Sequence, residues 1–210
     1  MRRTQALAVA GAGATVFALS THFAVAEDHR RAESRVFHVV NGSPDWLYPV
    51  LWGPMQLGNL VVGAVVALAV ALIGRRPQVA LAALAAVGLK LVVERVIRDR
   101  MTTAMERHRP GTSQIGAVLR GDVPVEGHSF PSGHVILVAA LAAVLTPMLP
   151  RRWSALPWAA VGLVAFGRVY VGAHNPLDVT AGLGAGVTVG ALLDAVLGDD
   201  HRHHTRTTQT

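Results

Sequence analysis

Pro131-Ser132-Gly133-His134-Val135-Ile136-Leu137-Val138-Ala139-Ala140-Leu141-Ala142-Ala143-Val144-Leu145-Thr146-Pro147-Met148-Leu149 starts as a polar turn and continues as an apolar run without a charged residue. From Ser132 onward its length is close to the ~20 residues that cross ~30 Å of hydrocarbon as a helix. His134 stands where the turn meets the run. Histidine is uncommon in such a setting because it titrates near neutrality. A second passage, Arg168-Val169-Tyr170-Val171-Gly172-Ala173-His174-Asn175-Pro176-Leu177-Asp178, closes one apolar run, turns, and opens another. It too puts a histidine at a helix junction, with an arginine and an aspartate at fixed offsets.

Working outward, the chain holds six apolar runs: Ala6 to Ala26, Met55 to Ile73, Val79 to about Ile97, Ser132 to Leu149, Trp153 to Val171, and Leu177 to Leu197. Charged residues collect between them. The pattern predicts an all-α protein, a six-helix transmembrane bundle, forming one domain over residues 1–198 with its core at about 79–197. Residues 199–210, with His201, His203 and His204, read as a polar, solvated tail. Ala24-Val25-Ala26 resembles a small-residue cleavage site. The first run is longer than a signal-peptide core, however, and reads as a retained span. Glu27 to Pro54 reads as a connecting segment with a short surface helix. Gly182, Gly186 and Gly190 put small residues on one face of the last helix, where close packing inside the bundle is expected.

Composition narrows the function. The 210 residues include no cysteine, so disulfides and thiolate-bound metals are excluded. Lys and Arg number 19 against 13 Asp and Glu, and Lys90 is the single lysine. The arginines are scattered in pairs with few aromatics nearby, which argues against a nucleic-acid surface. Arg2-Arg3, Arg75-Arg76, Arg151-Arg152, and Arg202 with Arg206 fall in alternate connections. The positive-inside rule assigns these to the cytoplasm, with both termini inside. Both histidine segments then open on the extracytoplasmic face. Lys90, Glu94, Arg95 and Arg168 lie within apolar runs, where charge is expensive and marks function or a water-filled cavity.

Each residue has a plain structural reading beside a chemical one. Asn175 caps a helix, Pro176 suits its first turn, and Asp178 complements its dipole. Chemically, Asp178 accepts a hydrogen bond from one ring nitrogen of His174 and leaves the other as a nucleophile. Arg168 either snorkels to the interface or grips two phosphoryl oxygens with its fork. Pro131, Ser132 and Gly133 are explained as a helix start, but His134 is not. In the chemical reading Gly133 lets the backbone approach a phosphate and Ser132 donates to it. The helix N-terminus attracts the anion, and His134 moves the proton. Lys90, Glu94 and Arg98 share a helical face and also read as a charge ladder.

Position by position, these residues resemble two of the three signature motifs of the type 2 phosphatidic acid phosphatase family, the membrane branch of the acid phosphatase and vanadium haloperoxidase superfamily. Pro-Ser-Gly-His is matched in full at Pro131 to His134. Ser-Arg-x5-His-x3-Asp is matched at Arg168, His174 and Asp178, with Gly167 replacing the serine. The first motif, Lys-x6-Arg-Pro, is interrupted. Removing Val96 to Arg107 joins Lys90 to Arg109-Pro110 at the family's spacing, as if twelve residues had been inserted. In an unbroken helix that insertion moves Arg109 by about 18 Å and turns it by about 120°. The third helix must therefore break if Lys90 and Arg109 are to meet. Failing that, Arg98 or Arg100 takes the place of Lys90.

The resemblance implies a lipid phosphatase that hydrolyses a phosphomonoester or diphosphate. Its catalytic residues are His174 as nucleophile, Asp178 as orienting partner and His134 as acid-base. Its phosphate-binding residues are Arg168, Arg109, Lys90, Ser132 and Gly133. The expected partners are the bilayer and a lipid phosphate: a polyprenyl diphosphate, phosphatidic acid or phosphatidylglycerol phosphate. Location alone favours the isoprenoid carrier. The sequence offers no carboxylate cluster for paired metals, so neither cofactor nor metal is expected. The competing readings are a phosphotransferase using the same site, a haloperoxidase, and a non-catalytic membrane protein that kept the fold.

Overall fold

The structure, a computed structural model, describes residues 2–26, 30–75, 77–104 and 107–197. The tail with its three histidines, Arg202 and Arg206 lies outside the described residues, as do Glu27, Arg76 and Glu106. Among the described residues the chain forms nine α-helices and no strand. They are α1 (Arg3–Val25), α2 (Arg30–Asn41), α3 (Leu47–Met55), α4 (Leu60–Ile73), α5 (Pro77–Ala104), α6 (Pro110–Ser113), α7 (Gly133–Leu145), α8 (Leu156–Tyr170) and α9 (Pro176–Leu197).

Each of the six apolar runs falls on a helix, but the boundaries move. The run Met55 to Ile73 is not one straight helix. Asn59 interrupts it, its Oδ1 accepting the Val61 and Val62 amides at 3.0 and 3.4 Å as the cap of α4. The pair Leu47–Gly58 and Leu60–Ile73 is bent by 73° at this break. Gly58 is thereby carried against His134: a Cβ at Gly58 would lie 2.8 Å from the Cβ of His134. The segment from Glu27 to Pro54 carries two helices rather than one, with α3 running to Met55. By length and hydropathy α1 and α9 each suffice to cross a membrane, and the bent pair passes as a third.

Helix α7 is the centre of the bundle. Every residue from Val135 to Leu145 is buried, as is Gly133, so of its thirteen residues only His134 is not. A helix apolar on all sides belongs in a core. It packs against α9, α5, α8 and α4. The α9 contact is backbone to backbone. A Cβ at Gly182 would lie 2.7 Å from the Ser132 carbonyl and one at Gly190 2.6 Å from that of Ala140, while one at Gly186 would strike the Ile136 carbonyl. The glycine face thus serves packing within the chain, as expected. Gly184, on another face, meets α1 at Gly13 and Phe17. The α1–α9 seam also carries a hydrogen bond from Ser20 Oγ to Thr180 Oγ1 at 2.9 Å.

This seam has a measurable consequence. Gly186→Val forces α7 and α9 apart, a strain of about 1–3 kcal/mol or more. The expected result is a lower midpoint in thermal unfolding of the detergent-solubilised protein. An unchanged midpoint is incompatible with direct backbone contact there.

Candidate active site

At one end of the bundle α2, α3, the chain from Arg107 to Pro131, and the turn between α8 and α9 gather around the N-terminus of α7. Arg120 clamps this assembly. Its guanidinium donates to the carbonyls of Asn41 (2.7 Å), Tyr170 (2.8 Å) and Ser43 (3.1 Å) and to Asp45 Oδ1. It also lies 4.2 Å above the Tyr170 ring. Asn41, buried, ties the Val118 and Tyr170 carbonyls together at 2.8 and 2.9 Å. Gly172, at φ 77°, reverses the chain after α8, and the Ala173 and His174 amides both donate to the Arg168 carbonyl. His174 is thus wound back over Arg168.

A cavity of about 630 Å³ opens between α3, α4, α5, α7, the end of α8 and the chain that carries Arg109 and Arg120. Lys90, Arg109, Gly133, His134, Arg168 and His174 line it. The two histidine passages therefore meet at one space. Lys90 and Arg109 meet there too, because α5 ends at Ala104 and the chain turns back. His108 and His128 form an antiparallel bridge, and Arg109 N–H donates to the Gly127 carbonyl at 3.3 Å. Arg100 is exposed and is not part of the wall, so it does not substitute for Lys90. The Arg98 side chain is not described. Ser132 is fully buried and also not part of the wall, although its Oγ has no hydrogen-bond partner among the described residues.

Charge in the cavity is arranged around four basic wall residues, Lys90, Arg109, Arg120 and Arg168. Lys90, 9% exposed, pairs with Glu94 at 2.5 Å, the i,i+4 contact foreseen in the charge ladder. Glu94 itself reaches the start of α7: a Cβ at Gly133 would lie 2.6 Å from its Oε1. Arg109 Nη1 donates to the Ala173 carbonyl at 3.0 Å. Arg168 Nε is buried without a hydrogen-bond partner among the described residues. No group of three or more His, Asp or Glu with metal-binding geometry occurs among the described residues.

Asp178 sits behind His174 and is fully buried. Its Oδ2 faces His174 Nδ1 at 3.7 Å, which is beyond hydrogen-bond length. The expected bond is therefore a near approach. The carboxylate is already held: Oδ2 accepts the Asn175 amide at 2.8 Å and Oδ1 accepts Arg107 Nε at 2.5 Å. Nor is the cap of α9 the expected one. The Asn175 side-chain oxygen accepts from Gln114 Nε2 at 2.9 Å, and Glu33 of α2 takes the Leu177 amide at 2.8 Å instead. Glu33 also pairs with Arg107.

Glu33, Arg107 and Arg120 are not singled out by the sequence, whereas Glu94 is marked there only as a charge within an apolar run. Two of them had a readable signal. Glu33, Phe37 and Asn41 recur every four residues and form the buried face of α2. Arg107 ends the Glu106-Arg107 repeat of Glu94-Arg95. The His174 ring is pushed below its ordinary range by burial. The Asp178 carboxylate opposes this shift, and the Arg168 and Arg109 cations add to it. The ring is accordingly neutral near pH 7.

Two imidazoles and several cations line one cavity at the end of a helical bundle, a charge arrangement that suits an anion. Residues 79–199 match the PAP2 superfamily, and the chain belongs to that family. A solved structure, the first transmembrane PAP2 type phosphatidylglycerolphosphate phosphatase from Bacillus subtilis, has the same fold. It has a TM-score of 0.69 at 23% identity, over 90% of this chain and 96% of that one. An undecaprenyl-diphosphatase of Sulfolobus acidocaldarius is 44% identical over 55 residues, 26% of this chain and 27% of the relative. A decaprenylphosphoryl-5-phosphoribose phosphatase of Mycobacterium tuberculosis is 38% identical over 80 residues, 37% of this chain and 42% of the relative. The matched stretches thus span less than half of either relative.

The depressed His174 fixes a sign for stability. The unfolded chain takes up a proton as pH falls through about 6.5, while the buried ring resists it. This residue's contribution is therefore lost on acidification. Denaturation of the wild type is expected to steepen below that pH relative to His174→Gln. Parallel curves for the two proteins contradict a buried, neutral ring.

Proposed function

We propose that the protein is a multi-pass lipid phosphatase of the plasma membrane, working through a phosphohistidine without a metal or cofactor. One observation carries the reading. Two histidines from separate helices and the cations Lys90, Arg109 and Arg168 line one cavity, with Asp178 directly behind His174. In the proposed first step His174 Nε2 attacks phosphorus and the bond to the lipid oxygen breaks. His134 gives its proton to that oxygen. In the second step water attacks phosphorus and its proton passes to His134. The phosphorus–nitrogen bond breaks, the electron pair returns to the ring, and orthophosphate leaves. The cations and the α7 amides offset the charge on the transferring group.

The proposed topology has six crossings: α1, the bent α3–α4 pair, α5, α7, α8 and α9. Residues 1–198 form one domain with both termini cytoplasmic and the cavity on the outer face. A site at that interface suits a lipid whose tail stays in the bilayer. The proposed substrate is a polyprenyl-linked phosphate, because both the Sulfolobus and the Mycobacterium relatives act on polyprenyl compounds.

Purified protein incubated with polyprenyl diphosphate, polyprenyl-linked sugar phosphate, phosphatidic acid and phosphatidylglycerol phosphate is expected to release free phosphate from a polyprenyl substrate. His174→Ala should lose that activity. Vanadate should inhibit and chelators should not. Equal rates in wild type and mutant, or a need for added magnesium, rule the mechanism out. Transfer of labelled phosphate to an acceptor instead of water indicates the phosphotransferase.

Because the chain has no cysteine, single thiols report topology. Ile115, 98% exposed, replaced by cysteine should react with an impermeant reagent on whole cells, and Trp153→Cys should not. The reverse pattern inverts the orientation.

A further inference from the structure

Behind the cavity Asp178 is joined by two charged side chains that have no place in the mechanism above, Glu33 and Arg107. Asp178 and Glu33 are both buried, and Arg107 lies between them. Arg107 Nε donates to Asp178 Oδ1 at 2.5 Å, and Nη2 donates to Glu33 Oε1. The same Glu33 oxygen accepts the Leu177 amide at 2.8 Å. Asp178 Oδ2 accepts the Asn175 amide. The Asp178 carboxylate is therefore held at one oxygen by a side chain and at the other by backbone, and its Oδ2 is presented to His174 Nδ1.

The charges have a definite sum. One guanidinium between two carboxylates leaves a net charge of −1, buried against the imidazole. If His174 attacks through Nε2 with its Nδ1 proton retained, the ring acquires a unit positive charge in the intermediate. The cluster matches that charge. Arg107 alone with Asp178 would neutralise it, and the two carboxylates without Arg107 would draw a proton onto the ring before attack. A bridge of this kind needs the two-donor edge of a guanidinium, which an ammonium does not offer.

We propose that Arg107, anchored by Glu33, is a positioning residue. It sets the orientation and net charge of the group behind His174 and so keeps the ring in the Nδ1–H tautomer with Nε2 directed to phosphorus. This rests on the reading of His174 as nucleophile. Arg107 is supplied by the segment between Lys90 and Arg109, so the stretch that interrupts the first motif contributes a part of the site.

The test uses the full-length protein in detergent, with Arg107→Gln, Arg107→Lys, Glu33→Gln, and the double variant of Arg107→Gln with Glu33→Gln. Steady-state rates are measured on the polyprenyl substrate, and nitrogen NMR of labelled histidine, assigned by loss of the signal in His174→Gln, reads the ring tautomer. Each single variant is expected to lower kcat by about 10- to 100-fold with KM nearly constant. The double variant, again at net −1, should recover part of the loss. Arg107→Lys should stay impaired, and Arg107→Gln should lose the Nδ1–H signature. Glu33→Gln keeps an acceptor for the Leu177 amide and serves if the Arg107 variants do not fold. Full kcat in Glu33→Gln and in any folded Arg107 variant, or an unaltered tautomer in both, overturns the proposal. If the wild type hydrolyses none of the lipids, the reading of function fails, and the tautomer alone decides the role of Arg107.

Discussion

The close approach of α7 to α9 is the constraint on which the rest depends. Gly182, Gly186 and Gly190 let the carbonyls of α7 lie where side chains would otherwise stand. That contact brings the first turns of both helices side by side. The Ser132 amide donates to the Asp178 carbonyl at 3.0 Å. From there Gly133 and His134 reach the cavity from one helix, and Asp178 supports His174 from the other. In a bilayer, where apolar surface gives little drive for helices to associate, such small-residue packing carries the assembly.

Around that seam the molecule concentrates its charge at one end. Lys90 has Glu94, Arg120 has Asp45 and three carbonyls, and Arg107 has two carboxylates. Burial opposes the charge on Arg107, but Asp178 and Glu33 outweigh it and keep the guanidinium charged. Removing one partner from such a network is far more disruptive than removing the whole, because it leaves a charge without compensation. The loop from Arg107 to Pro131 is consequently held firmly despite having little regular structure. Arg109 is held at the cavity wall by its bond to the Ala173 carbonyl.

Much of the site was legible in the residues themselves. His134 and His174 stood out because imidazoles are costly where they occur, and both passages end at the same cavity. That α5 ends before Arg109 follows from spacing if Lys90 and Arg109 are to meet, since nineteen positions separate them, about 28 Å along a continuous helix. The bend at Asn59 was less visible. Apart from Gln56 and Gly58 its surroundings are apolar, and an asparagine inside a long run carries no unambiguous sign of a cap. Arg107, Glu33 and Arg120 were obscured for a different reason. Arginine and glutamate are common on surfaces, and only burial reveals that these hold the fold together.

Local chemistry along the chain determined the helices, the two histidine turns and the glycine face, because each depends on neighbours within a few residues. Tertiary structure decided which partners the buried charges take. Asp178 meets Arg107, Glu33 caps α9, and Asn175 turns to Gln114, all across separations of more than sixty residues. Charge pairing has no periodicity and many candidates of either sign. Packing alone selects among them, by placing two side chains in one buried space and excluding the water that would otherwise satisfy each.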